Sequence, residues 1–191
     1  MTKLQKRNLI VCGNAAMCVL ETCADWDSLP YDHIIFVNHR DVRHKEVSYT
    51  WVPFQAPAEH YGYIEAIGVY TSRKQIYPVP LPLGLQSAIL KGDGLWTVFA
   101  CLGGAGGCTL YLSLALYLAG KDLGARFIGS VPFRFEGKKK ISRVQDIIDK
   151  VADIHSQEVV QLDRVREHGR LLSVAKYFQH ADQELLQVLR G

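Results

Sequence analysis

With 191 residues, 48% of them hydrophobic and 21% charged, the chain has the composition of an ordinary globular protein with room for a sizeable core. Its formal net charge of +3 is small and its basic residues are scattered, which excludes an electrostatic footprint on nucleic acid. No apolar run approaches the roughly 18 residues needed to span a bilayer, and the basic N-terminus leads into too short an apolar run for a secretion signal. The cysteines, at 12, 18, 23, 101 and 108, are odd in number and form no Cys-x-x-Cys pair. They read as reduced thiols of a cytoplasmic protein.

In chain order, residues 9–12 read as a short buried strand ending at Gly13. Asn14 is placed to cap a helix from Ala15 to about Thr22. Residues 27–31 turn the chain, and 33–38 form a second strand that ends in the polar loop Asn38-His39-Arg40-Asp41. Residues 45–94 carry weaker signals. A strand is expected over 47–52, broken by prolines from 53 to 57. Residues 77–82 are held extended by three prolines, and a short helix is expected over 83–91.

The most informative stretch is 95–109. A β-prone apolar run passes into Gly103-Gly104-Ala105-Gly106-Gly107-Cys108-Thr109, and an apolar helix is expected from 110 to 119. Strand, glycine loop and helix in that order form a phosphate cradle. Glycine lets backbone N–H groups close around an anion, and the helix N-terminus adds partial positive charge. Close helix–strand packing also selects glycine at such turns, so the loop alone leaves both readings open. Beyond it come a strand over 125–131, a basic run at Lys138-Lys139-Lys140 that reads as solvated surface, an amphipathic helix over about 141–155, a short strand over 159–162 and a closing amphipathic helix from about 171 to the end. Alternating strands and helices predict an α/β fold: a three-layer, Rossmann-like, mostly parallel sheet with helices on both faces. Ligands of such sheets bind at the carboxyl ends of the strands, where the Gly13 turn, the Asn38 loop and the Gly103–Gly107 loop all fall.

The glycine loop, followed one strand later by Pro132-Phe133-Arg134-Phe135-Glu136-Gly137-Lys138-Lys139-Lys140, resembles the GTP-binding domain of the FtsZ/tubulin family. The Phe-x-Phe-Glu-Gly stretch is the specific part of the match. Gly13-Asn14-Ala15-Ala16-Met17-Cys18 is similar to that family's first loop, and Val37-Asn38 followed by Asp41 to its second. The resemblance covers most of the chain except about 45–85. It implies GTP or GDP as ligand, with Mg²⁺ accompanying bound GTP. It also implies these site residues: Gly13, Asn14, Ala15 and Cys18 from the first loop, Asn38, then Gly103, Gly104, Ala105, Gly106, Gly107, Cys108 and Thr109 around the phosphates. Glu136 would accept from the ribose, Lys140 would stand near the nucleotide, Phe178 would stack on the base, and Asp182 would read it. No catalytic residue and no protein-held metal are expected.

Several positions depart from the family pattern. The first loop has one glycine, Cys18 replaces a base-contacting asparagine, and residues 53–90 hold prolines where a glycine-rich loop would face the terminal phosphate. The chain reads as one domain over 1–191 ending in the central helix, without the acidic loop and second domain that follow in FtsZ. Those departures imply a divergent FtsZ-like cytoskeletal or cell-division protein that binds a guanine nucleotide, hydrolyses little by itself and acts as a pseudo-GTPase through a protein partner, an FtsZ-like filament subunit or a second copy of itself. The alternatives are a GTPase subunit completed in trans by a partner's acid, and a Rossmann-type enzyme using another nucleotide cofactor. The latter is disfavoured because the glycine loop lies late in the chain and no acidic residue closes the following strand.

Overall fold

The computed structural model describes residues 5–23, 26–41, 48–64, 69–72, 76–164 and 173–191. Strand β1 (Arg7–Cys12) leads directly into α1 (Gly13–Glu21), followed by β2 (His33–Asn38) and β3 (Thr50–Pro53). A small hairpin, β4 (Tyr61–Ile64) with β5 (Val69–Ser72), precedes α2 (Leu83–Lys91) and β6 (Leu95–Cys101). The chain then alternates through α3 (Ala105–Gly120), β7 (Ala125–Val131), α4 (Lys138–Ala152), β8 (Gln157–Gln161) and α5 (Val174–Arg190).

Six strands form one parallel sheet in the order β3-β2-β1-β6-β7-β8. A parallel sheet is covered on both faces, so its central strands are apolar throughout rather than alternating. Ile10, Ile35, Val98 and Ala100 face a core shared with α2, α3 and α4. Their neighbours Leu9, Val11, Ile34, Phe36 and Phe99 face the opposite core with α1 and α5. The strand order reverses between β1 and β6, and their carboxyl ends frame the crevice where doubly wound sheets bind ligands.

Several boundaries differ from the sequence reading. Helix α1 starts at Gly13 with Cys12 as its N-cap, so Asn14 lies in the first turn and caps nothing. Helix α3 starts at Ala105, which makes most of the glycine loop its first turn. Pro53 ends β3 instead of breaking it; proline lacks a backbone N–H, and the last residue of an edge strand can do without one. The lysine run is the first turn of α4, with Lys138 and Lys139 exposed and Lys140 half-buried. The β4–β5 hairpin carried no readable signal. In α5 the buried positions are Ala181, Leu185, Leu186 and Leu189, while Val174 and Phe178 stay exposed. The expected helical start at 171 and the strand start at 47 lie outside the described residues.

Candidate functional site

Two helices begin at the crevice between β1 and β6. The first N–H groups of a helix have no intrahelical acceptor. Neither α1 nor α3 has a side-chain cap or an acidic residue in its first turn. Both sets of donors, with the positive ends of both helix dipoles, therefore converge on one place.

The two turns touch through backbone. Gly13 has φ +81°, a conformation that favours glycine, and a Cβ placed there would lie 2.8 Å from the nitrogen and 3.1 Å from the Cα of Gly107. Gly107 is confined in turn, since a Cβ there would approach the carbonyl oxygen of Cys101 to 3.1 Å and that of Cys12 to 3.4 Å. These glycines bring the two helix starts together. The cavity they bound has a volume of about 280 Å³ and is walled by Cys12, Gly13, Asn14 and Ala15 on one side and by Cys101 with Gly104, Ala105, Gly106 and Gly107 on the other. Asn38, His39, Phe54 and Ala56 complete it.

Of the sequence-predicted residues, Gly13, Asn14, Ala15, Asn38, Gly104, Ala105, Gly106 and Gly107 line this cavity. Gly103 is buried behind it: Lys140 presses on it, its Cε 2.7 Å from where a Cβ would stand, and the buried Arg143 donates to its carbonyl oxygen from Nη2 at 3.2 Å. Cys108 and Thr109 are buried within α3 and do not line the cavity. The Thr109 hydroxyl shares a 2.8 Å hydrogen bond with Nδ1 of the buried His60, whose ring meets Tyr77 edge-on. Burial lowers the His60 pKa and raises that of the Cys108 thiol.

The remaining predicted residues gather on the α5 side. Cys101 belongs to the cavity wall, and the negative charges of Asp182 and Glu136 act on its thiol. Burial pushes its own thiol up to about 12, so it is no nucleophile at neutral pH. Burial likewise raises the Asp182 carboxyl to about 6. Glu136 accepts the Phe133 N–H at 3.0 Å through Oε1 and pairs with Lys140 through Oε2. Phe178, 42% exposed, meets the rings of Phe133 and Phe135 edge-on, and Phe135 is itself 50% exposed. Phe178 and Phe135 thus form an open aromatic surface, with the half-buried Asp182 one turn further along α5.

Cys18 lies under Arg40. That guanidinium donates from Nε to Asn14 Oδ1 at 2.9 Å, spans both oxygens of Glu21 at 3.2 and 3.1 Å, and reaches Cys18 Sγ at 3.5 Å. Asn38 is held by His39, whose Nδ1 is 3.1 Å from Asn38 Oδ1, and by a contact to Met17 Sδ at 3.6 Å.

Sequence reasoning missed Cys12, His39, Phe54, Ala56 and Cys101 as lining residues, and Arg40 as the partner of Asn14. His39 and Arg40 follow Asn38 at the end of a strand already read as ligand-facing, so their signal was present. Phe54 reaches the site because its N–H donates to Asn38 O at 3.0 Å, extending the β2–β3 pairing past Pro53. Nothing local announces that.

No protein-family model matches the sequence, and no curated protein is similar to it at the sequence level. Solved structures do match. The chain is similar to the empty FtsZ dimer of M. jannaschii, with a TM-score of 0.68 at 14% identity over 100% of this chain and 55% of that one. It is similar to CetZ2 of Haloferax volcanii in a GTPγS-bound protofilament, with a TM-score of 0.63 at 18% identity over 97% and 58%. It is also similar to the phage tubulin PhuZ with GDP, with a TM-score of 0.56 at 14% identity over 97% and 55%. The chain has the fold of an FtsZ/tubulin-like N-terminal domain, and it spans little more than half the length of those structures.

Proposed function

We propose that this chain is a divergent FtsZ/tubulin-type module that binds GTP or GDP, turns it over slowly or not at all by itself, and works through contacts with a filament subunit or a second copy of itself. One observation carries the binding half. Two uncapped helix N-termini meet through the Gly13–Gly107 contact and form a main-chain anion cradle. In this reading the N–H groups of 13–15 and 104–107 hold the phosphates, and Lys140, poised over Gly103, adds charge. Phe178 stacks on the base. Asp182, ionised above pH about 6, accepts from guanine N1–H and N2–H₂.

The chemistry of the lining supports the slow-turnover half. Phosphoryl transfer to water needs a group that orients the water and charge that stabilises the leaving oxygens. None of the residues lining the cavity carries a carboxylate. Thr109, the hydroxyl that follows the glycine turn in sequence, is directed at His60. The fold implies Mg²⁺ with bound GTP, a hard ion that prefers anionic oxygen ligands, and the lining residues supply none. We therefore assign it no protein ligand and no step. Support for the partner half comes from the dimer and protofilaments in which the matching proteins were solved.

The test is direct. The natively purified protein is denatured, its released ligand is separated by ion-pair chromatography, and GDP affinity is measured by calorimetry on nucleotide-free protein. GTP or GDP near one per chain, or GDP binding that pyrophosphate competes with, is expected. Absence of both refutes the binding reading. Phosphate release from GTP at the rate of an active FtsZ refutes the pseudo-GTPase reading.

A further inference from the structure

We propose that His60 is a positioning residue for the cavity: its ring, docked against Thr109 of α3, holds the Phe54–Ala56 wall in place and releases it on taking up a proton. The inference concerns the wall itself and stands whatever ligand the cavity takes.

Its basis is how residues 54–60 are fastened. Phe54 and Ala56 line the cavity. Between Pro53, where β3 ends, and the start of β4, the buried side chains are Ala56 and His60. Alanine offers one methyl, so the larger buried anchor is the imidazole, which is wholly shielded from solvent. Its Nδ1 lies 2.8 Å from the Thr109 hydroxyl, and its ring meets Tyr77 edge-on with centroids 4.2 Å apart. Both docking surfaces are fixed without it. Thr109 and Ser113 lie one turn apart on the same face of α3, and Ser113 Oγ accepts the Val79 N–H at 2.9 Å. Ile76 and Leu81, on either side of Val79, are buried in the core shared with α3. The link from His60 to the wall is short and stiff. The His60 N–H donates to Pro57 O at 2.9 Å, closing the turn Ala58–His60, and Pro57 has a fixed φ. Movement of His60 therefore reaches Ala56 and Phe54 with little chain between to absorb it.

This latch suits a neutral ring. Nδ1 is engaged by Thr109, while Nε2 is buried with no hydrogen-bond partner among the described residues. The neutral ring leaves one polar atom unpaired there, whereas the imidazolium places a charged N–H in the same spot, which costs far more. The ring faces Thr109 from α3, Tyr77 from residues 76–82 and Glu59 on its own turn. Of these groups only Glu59 carries charge, and it accepts the Tyr77 hydroxyl at 2.6 Å. Glu59 favours the proton, but burial outweighs it, and the native pKa falls below 6.5. The closed wall is complete above pH 6.5 and yields as pH falls through that lowered value, because opening hydrates the imidazolium.

Hydrogen exchange followed by mass spectrometry reads the wall directly, as protection of the amides of residues 54–60 corrected for the intrinsic pH dependence of exchange. With one proton taken up per opening, wild-type protection should fall about tenfold for each pH unit below the native pKa of the ring, while the amides of α3 stay protected. His60→Gln keeps a polar partner for Thr109 but does not titrate, so its protection should be flat with pH. Thr109→Val keeps the ring and removes its partner, and should lower protection at pH 7.5 by at least about fivefold. Thr109→Ser restores the hydroxyl and should return it to the wild-type value. The proposal is overturned if wild-type protection does not change with pH, if His60→Gln loses it with the wild-type profile, or if Thr109→Val leaves it intact. The Thr109 pair decides by itself should His60→Gln fail to fold. No ligand enters these measurements, so they succeed or fail independently of the nucleotide-binding reading.

Discussion

Alanine at position 13 attacks the junction on which the site depends. The added methyl meets two penalties. At φ +81° an L-residue sits in left-handed space, which costs about 1–2 kcal/mol. The methyl would also lie 2.8 Å from Gly107 N and 3.1 Å from Gly107 Cα, and these are main-chain atoms, not the end of a flexible side chain. Gly107 lies in the first turn of α3, so relieving the contact means moving a helix start. Overpacking against that backbone adds about 1–3 kcal/mol. Gly13→Ala should therefore lose about 2–5 kcal/mol, or a Tm lower by about 5–15 °C for a chain of this size. Ligand affinity should fall with it, since relief of the clash separates the two helix starts. Gly104→Ala is the matched control. Its Cβ would meet nothing within 4 Å, and its extended backbone suits any residue, so its Tm should stay within about 2 °C of wild type. Thermal unfolding followed by circular dichroism decides the matter. A Gly13→Ala protein that melts within about 2 °C of wild type and binds GDP normally would refute the idea that this contact sets the cradle.

Asp182 has a native pKa of about 6 against an ordinary value of 3.8, so its folded environment prefers the protonated form. Its stabilising contribution is complete below about pH 3.8 and is lost as pH rises through about 6. Asp182→Asn should thus be more stable than wild type at pH 7.5 by about 1–2 kcal/mol, with the difference gone near pH 4, while its preference for guanine weakens; urea titrations at the two pH values check this. His60 shifts the other way, since burial lowers its pKa below 6.5. Its contribution is present above pH 6.5 and lost as pH falls through the lowered native value, so His60→Gln should flatten the acid side of the stability profile. Thr109→Val removes the partner of the His60 ring and should cost about 1–3 kcal/mol in denaturant unfolding, a loss absent from a His60→Gln background. Gly84→Ala, in the first turn of α2 with open space around its Cβ, should raise stability by roughly 0.5 kcal/mol, read as a higher urea midpoint at unchanged slope.

The parallel sheet was legible because its strands are short, unbroken apolar runs. Val11, Phe36, Val98 and Ile128 each sit in such a run, and each is fully buried. The glycine turns were legible because close backbone approach leaves no other residue type. Helix starts were misplaced by a few residues for a related reason. Glycines 103–107 look like loop by propensity, but the short route from β6 back over the sheet makes Ala105–Thr109 helical at once. The tertiary half of the site was not legible. That Thr109 turns to His60 and that Arg40 lies over Cys18 depend on residues 49 and 22 positions apart, Phe54 walls the cavity from another segment again, and neither periodicity nor capping encodes such pairings.

At 14–18% identity the matching structures share backbone with this chain and little else. The geometry of the site explains how that happens. The end proposed to hold phosphate is made of main-chain N–H groups, so its side chains are constrained only by volume. Gly13 and Gly107 cannot change without separating the helix starts, whereas Ala105 or Cys108 can replace other small residues with no loss of a donor. The end proposed to read the base is made of side chains, and there the substitutions change chemistry: Cys18 offers a weak acceptor, Arg40 covers it, and burial raises the Asp182 carboxyl to about 6. In the proposed reading, binding strength and base choice are thus carried by different parts of the molecule: substitutions that spare Gly13 and Gly107 leave the main-chain cradle intact, while the side chains at the other end are free to change.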